Sequence, residues 1–176
     1  MAVAASRSRT EPHARSGGDA PASSAHDLTC RLVGGPSELA THHQIREAVF
    51  VTEQALFSST DRDLVDDRAE TLHVLGYVDG APVGTVRLYP IAPELPGEVL
   101  WKGDRLAVLA AYRQAGLGAP LVRFAVAGAT RLGGDRMVAH VQLENVVFFR
   151  RLGWDPVGDP APYVGVEHQK MSIGLR

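Results

Sequence analysis

The stretch Arg105-Leu106-Ala107-Val108-Leu109-Ala110-Ala111-Tyr112-Arg113-Gln114-Ala115-Gly116-Leu117-Gly118-Ala119-Pro120-Leu121 decides how this chain is read. It begins as an apolar strand, passes through a turn with two closely spaced glycines, and opens into a helix. Leu121, Ala125, Gly128 and Leu132 carry the helical period onward, and Gly133-Gly134 closes it. A loop that runs straight into a helix leaves backbone N–H groups unpaired and pointing one way. With the positive end of the helix dipole they form an anion site. Gly116 and Gly118 let a phosphate approach without meeting a Cβ. The expected ligand is therefore a phosphate or pyrophosphate.

Two common nucleotide loops do not fit. A P-loop ends in Gly-Lys-Ser/Thr, but Gly118 is followed by Ala119 and Pro120. A dinucleotide fingerprint needs a third glycine where Leu121 stands. A plain glycine turn before a helix is the remaining alternative on these residues alone.

Outward from this segment the chain alternates strands and helices. Upstream, a strand over 28–33 leads through Gly34-Gly35-Pro36 into a helix reaching about Gln54, with Leu39, Ile45, Val49 and Phe50 on one face. The charged run 61–70 reads as a loop or a short exposed helix. Two β-rich runs, 71–78 and 82–89, flank Asp79-Gly80-Ala81, a strong hairpin signal. A proline-bearing loop precedes the strand over 99–109. Downstream come a buried strand over 137–142, a short helix over 144–152 closed by Gly153, and a last strand over 165–175. The order β-α-β-β-β-α-β-α-β describes one mixed α/β sheet with helices.

Composition agrees with one such domain. The chain has 176 residues, 45% of them hydrophobic and 22% charged. Residues 1–27 are rich in Ala, Ser, Arg, Gly and Pro and read as a disordered tail before a domain over 28–176. The formal net charge of −2 gives no electrostatic reason to expect nucleic acid. No apolar run approaches the ~20 residues of a membrane span, so no membrane partner is expected. The single cysteine, Cys30, excludes an intrachain disulfide and reads as a small core residue in a cytoplasmic protein.

Arg113-x-x-Gly116-x-Gly118 after its strand closely resembles motif A of the GNAT N-acetyltransferases. Phe148-Phe149-Arg150-Arg151-Leu152-Gly153-Trp154 resembles motif B at the expected separation. Arg46-Glu47-Ala48-Val49-Phe50-Val51-Thr52-Glu53-Gln54 and His73-Val74-Leu75-Gly76 resemble the first helix and second strand of the ElaA-like branch. The nitrogen-starvation-associated acetyltransferases are a looser likeness. The resemblance spans about 28–175. It implies a GNAT fold: a mixed, mostly antiparallel sheet of six to seven strands flanked by helices and splayed between strands four and five.

The resemblance also implies acetyl-CoA as cosubstrate and a small-molecule amine as acceptor. The backbone of Leu106, Ala107 and Val108 would pair with the pantetheine arm. The amides of Arg113, Gln114, Ala115, Gly116, Leu117, Gly118 and Ala119 would hold the pyrophosphate, and Asn145 and Phe149 would flank the cofactor. The amine would attack the thioester directly, which needs a base, an oxyanion donor and a proton for the leaving thiolate. GNAT domains often dimerise, which leaves both a homodimer and a monomer open.

Three residues are candidate bases. Glu53 stands where the family has a glutamate at the end of the first helix, although any helix-end charge would look the same. His73 sits in an apolar strand, where a structural histidine is the ordinary reading. Glu144 follows the fifth strand, near the expected thioester, or is simply an acidic residue favoured by a helix start. Many relatives carry a tyrosine as general acid where this chain has Phe149, which leaves three alternatives: Tyr163 or water supplies the proton, the thiolate leaves unassisted, or the chain is a weak enzyme. Asp66, Asp67 and Glu70 would attract a cationic acceptor or be solvated. No metal is expected: His42 and His43 are neighbours and should diverge on a helix, while His140 and His168 stand alone. A CoA-binding module without turnover and an acyl-homoserine-lactone synthase are the competing functions.

Overall fold

A computed structural model describes residues 25–175. The tail expected over 1–27 falls almost wholly outside the described residues. Among the described residues eight strands form one sheet: β1 (Leu28–Leu32), β2 (Leu72–Val78), β3 (Ala81–Ile91), β4 (Leu100–Val108), β5 (Arg136–Gln142), β6 (Asp155–Pro156), β7 (Ala161–Tyr163) and β8 (Val166–Gly174). Among the described residues the α-helices are α1 (Pro36–Arg46), α2 (Gly118–Arg131) and α3 (Val146–Arg151). The strand order is β1-β2-β3-β4-β5-β8-β6, with β7 on β8. Every pairing is antiparallel except β4 with β5. The short strands β6 and β7 go beyond the sequence reading; at two and three residues they carry no period to read.

The parallel pair is brief. Leu100, Trp101 and Lys102 face Arg136, Met137 and Val138, and the ladder then stops. Each strand continues for several residues, β4 to Val108 and β5 to Gln142, so the sheet splits there. β4 also bulges: Thr85 pairs with Ala107 and Arg87 with Asp104, which leaves two residues opposite one. Arg105 takes φ 53°, an uncommon angle for a residue with a Cβ.

Helix α2 packs on one sheet face, and α1 packs near β2 and β3. What seats α2 is a pair of glycines. Gly76 and Gly84 are cross-strand partners. A Cβ on Gly84 would lie 2.8 Å from Leu117 and 2.9 Å from Leu121, and one on Gly76 3.0 Å from both. The two glycines thus form a dimple that receives the first turn of α2. Leu117 and Leu121 are fully buried in it, which fixes where the glycine loop points.

The other face holds charge. After α1 the chain continues as a wider π-helical turn over Glu47–Glu53, where Gln54 N–H donates to the Val49 carbonyl (3.0 Å). Arg46, fully buried, donates to Asp61 (2.7 Å) and Asp66. Arg87, also fully buried, donates to Asp104 (2.6 Å) and Asp63 (2.7 Å). Arg105 reaches the Asp61 carbonyl (2.7 Å) and the Asp63 carboxylate (3.0 Å). The charged run 61–70 is therefore not an exposed helix. It is a loop in which Asp61 and Asp66 fold inward to meet guanidiniums from distant elements, while Asp67 stays exposed beside Arg62.

Candidate active site

The glycine loop lies at the open end of the β4–β5 split. After Val108 the chain makes a 3-10 turn over Ala110–Ala115, and Gly116 then takes φ 83°. That left-handed angle is one that glycine adopts without strain. Helix α2 starts at Gly118 with no side-chain cap and no acidic residue in its first turn. Its leading amides and dipole are thus available to an anion. Phe148 of α3 packs against Gly118, where a Cβ would meet its ring at 3.4 Å, an ordinary contact.

Arg113 braces the loop. Its Nε donates to the Val108 carbonyl (3.0 Å) and its Nη2 to the Glu53 carboxylate (2.6 Å). One side chain therefore fixes the turn to the end of β4 and to the end of the first helix. Glu53 is held beside the loop as its ion-pair partner.

A cleft of about 690 Å³ opens next to the split, lined by Gln54, Leu56, Gln142, Leu143, Glu144, Val166 and Glu167. Glu144, directly after β5, stands here with Glu167 as a second carboxylate. Leu106, Ala107 and Val108 bury their side chains and follow the last ladder contact of β4 with β5. Their backbone lines the split. Asn145 is buried at the start of α3. Phe149 is 2% exposed and packs edge-on against Phe148 and Trp154, so its ring belongs to the core.

His73 is not brought to this cleft. It lies on β2, separated from β4 by β3, and its Nε2 is 3.1 Å from the Asp66 carbonyl. Burial, opposed by that hydrogen bond, lowers its pKa. Nor do His42 and His43 diverge: both rings meet His73, at centroid distances of 4.9 and 6.0 Å. Neighbours on a helix point about 100° apart, yet both can straddle a third side chain rising from the strand below.

His140 and His168 are not isolated either. Tyr163 of β7 stacks on His140 (4.8 Å) and meets His168 edge-on (5.5 Å), and Lys102 Nζ lies 5.5 Å above the Tyr163 ring. His140 is two residues before Gln142 on β5 and so shares its face, the one that reaches the cleft. Burial, then the charge of Lys102, pushes the His140 pKa down to about 4. Spacing in the sequence could not show this group, because β7 brings Tyr163 there from outside any periodic segment. Cys30 is half-buried and burial raises its thiol to about 11, which agrees with a packing role. Among the described residues no helix is long and apolar enough to cross a membrane.

Comparison with known proteins agrees with this architecture. Residues 40–154 match the Acetyltransferase (GNAT) family. A Bacillus subtilis (strain 168) protein that carries an acetyltransferase name, BSU40680, is 27% identical over 146 residues, 82% of this chain and 95% of that protein. The structure of an acyl-CoA N-acyltransferase from Pseudomonas aeruginosa is similar at TM-score 0.67 and 28% identity, over 84% of this chain and 98% of that one. Escherichia coli ElaA shares the fold at TM-score 0.69 and 23% identity, over 84% of this chain and 98% of its own. With a brief parallel ladder that splits, a glycine loop at the split and a matching family profile over most of the domain, the chain belongs to the GNAT acetyltransferase family.

Proposed function

We propose that this protein is an acetyl-CoA-dependent N-acetyltransferase acting on the amine of a small metabolite in a ternary complex. The observation that carries the reading is the uncapped start of α2, preceded by the left-handed Gly116, at the open end of the β4–β5 split. A CoA-linked donor suits that arrangement. Its pyrophosphate meets the amides over 113–119, and its pantetheine arm lies along the backbone of Leu106, Ala107 and Val108, where β5 no longer pairs. The likeness to an acyl-CoA N-acyltransferase supports the same donor class.

The cleft suits a cationic acceptor, since Glu144 and Glu167 both line it. Glu144 takes the role of base, directly or through water. The amine nitrogen attacks the thioester carbon, a C–N bond forms, the C–S bond breaks, and the amine proton passes to the base. The thiolate takes its proton from Tyr163 or from water, because Phe149 has none to give. Glu53 is a positioning residue: it holds Arg113, and through it the loop.

A second reading, a CoA-binding module without turnover, draws on Phe149. Thiol release measured with acetyl-CoA across a panel of small amines separates the two. Turnover on an amine supports the enzyme; tight acetyl-CoA binding with no turnover on any amine supports the module. Gly116→Val tests the loop itself, since a β-branched residue is strained at φ 83°. If acetyl-CoA stabilises that variant as much as the parent protein, the loop is not the binding site.

A further inference from the structure

The cluster of His42, His43 and His73 serves no step of the reading above, and it is chemically unusual. One ring nitrogen from each of the three lies within 4.8 Å of the others. His42 Nδ1, His43 Nε2 and His73 Nδ1 are buried without a hydrogen-bond partner. His42 itself is fully buried. The opposite nitrogens of two rings are engaged: His42 Nε2 faces the Val86 carbonyl (3.5 Å) and His73 Nε2 the Asp66 carbonyl (3.1 Å). A carbonyl only accepts, so each Nε2 carries the proton and each Nδ1 is left with a bare lone pair. Backbone carbonyls fix the tautomer of metal-ligating histidines in this way. Ring packing accounts for the edge-on faces but not for a buried unmatched nitrogen on each of three clustered rings.

We propose that His42, His43 and His73 together bind one divalent transition-metal ion of the zinc class. Imidazole donors favour Zn²⁺, Co²⁺, Ni²⁺ or Cu²⁺ over the oxygen-seeking Mg²⁺ and Ca²⁺. The positive charge of Arg46 nearby is met by Asp61 and Asp66. Around it, four carboxylates (Asp61, Asp63, Asp66, Asp104) face three guanidiniums (Arg46, Arg87, Arg105). Asp66 Oδ1 lies 3.8 Å from His43 Nε2 and adds a negative charge beside the cluster. His73 also lines an open cleft of about 500 Å³ with Val33, Gly34, Pro36 and Leu39, which provides an entry path. Three protein ligands leave the fourth position to water.

The test uses the full chain stripped with a chelator and titrated with Co²⁺, then Zn²⁺. The expected result is a visible absorption band saturating at one Co²⁺ per chain, abolished by Zn²⁺, with a higher melting temperature in Zn²⁺. His43→Gln and His73→Gln, both at partly exposed positions, should each weaken Zn²⁺ binding by about 100-fold, while His26→Gln leaves it unchanged. Circular dichroism confirms that each variant is folded. His42→Gln is the third probe; should it not fold, the other two decide. No saturable cobalt band, or equal Zn²⁺ affinity in folded His43→Gln, His73→Gln and parent protein, overturns the site.

Discussion

Arg113 and Glu53, sixty positions apart in sequence, meet at 2.6 Å. The contact joins the glycine loop to the last turn of the first helix. Since Arg113 also donates to the Val108 carbonyl (3.0 Å), three elements converge on one guanidinium. The positioning role proposed for Glu53 rests on this contact.

Glu53→Gln should accordingly raise the KM for acetyl-CoA and leave kcat nearly unchanged. The pair is partly exposed, so its loss costs about 1 kcal/mol, or roughly fivefold in KM. Steady-state kinetics with acetyl-CoA varied is the measurement. A large fall in kcat with KM constant would instead make Glu53 the base.

Glu144→Gln should do the reverse. It preserves the shape of the cleft but removes the proton acceptor, and general-base loss costs about 10²- to 10⁴-fold in kcat. The acidic limb of the pH–rate profile should disappear with it. Retention of that limb would assign the base elsewhere.

Tyr163→Phe keeps the ring stacked on His140 and removes only the hydroxyl. If the hydroxyl protonates the departing thiolate, kcat should fall about tenfold or more, with KM values unchanged. An unchanged kcat assigns that proton to water.

Gly84→Val should disturb both stability and binding. Its Cβ would stand 2.8 Å from Leu117, 2.9 Å from Leu121 and 3.3 Å from the Ala107 carbonyl oxygen. Overpacking of this kind costs about 1–3 kcal/mol, measurable by denaturant unfolding. Because Leu117 precedes the first turn of α2, acetyl-CoA affinity read by calorimetry should fall as well. Unaltered affinity would show that the loop tolerates displacement of the helix.

Acid should unfold the domain through the aspartates that pair with its buried arginines. Burial opposes the charge of Asp66, but the hydrogen bonds and charge of Arg46 outweigh it and hold the carboxyl well below the usual range. Asp63 is lowered in the same sense: burial is opposed, and exceeded, by Arg87. A carboxyl whose pKa is depressed by folding contributes stability that is fully present above its unfolded value, about 3.9. That stability is lost as pH falls through the folded values. Denaturant midpoints should therefore hold steady near neutrality and drop below about pH 4. Asp66→Asn, which leaves Arg46 and Arg87 short of a charge, should cost about 3–5 kcal/mol at neutral pH.

The loop at 113–118 was legible in the sequence because its chemistry is local. Glycines that permit an approach, a helix start that exposes amides and the strand before it all lie within one short segment. Element order was legible for the same reason, since periodicity and turn residues act over a few positions. Pairing over long separations was not. Arg46 meets Asp61 and Asp66 across 15 and 20 residues, and Arg87 meets Asp63 across 24. Nothing in the run 61–70 distinguishes a solvated charge from one that is desolvated and paired. The three histidines converge only because β2 passes beneath α1, and Tyr163 reaches His140 only because β7 folds back on β8. Local residue patterns sufficed for the strand, the glycine loop and the helix that follows it. The tertiary structure decided which carboxylate faces the cleft, which one braces the loop and which histidines stand together, because burial and charge pairing depend on distances in space that residue spacing does not contain.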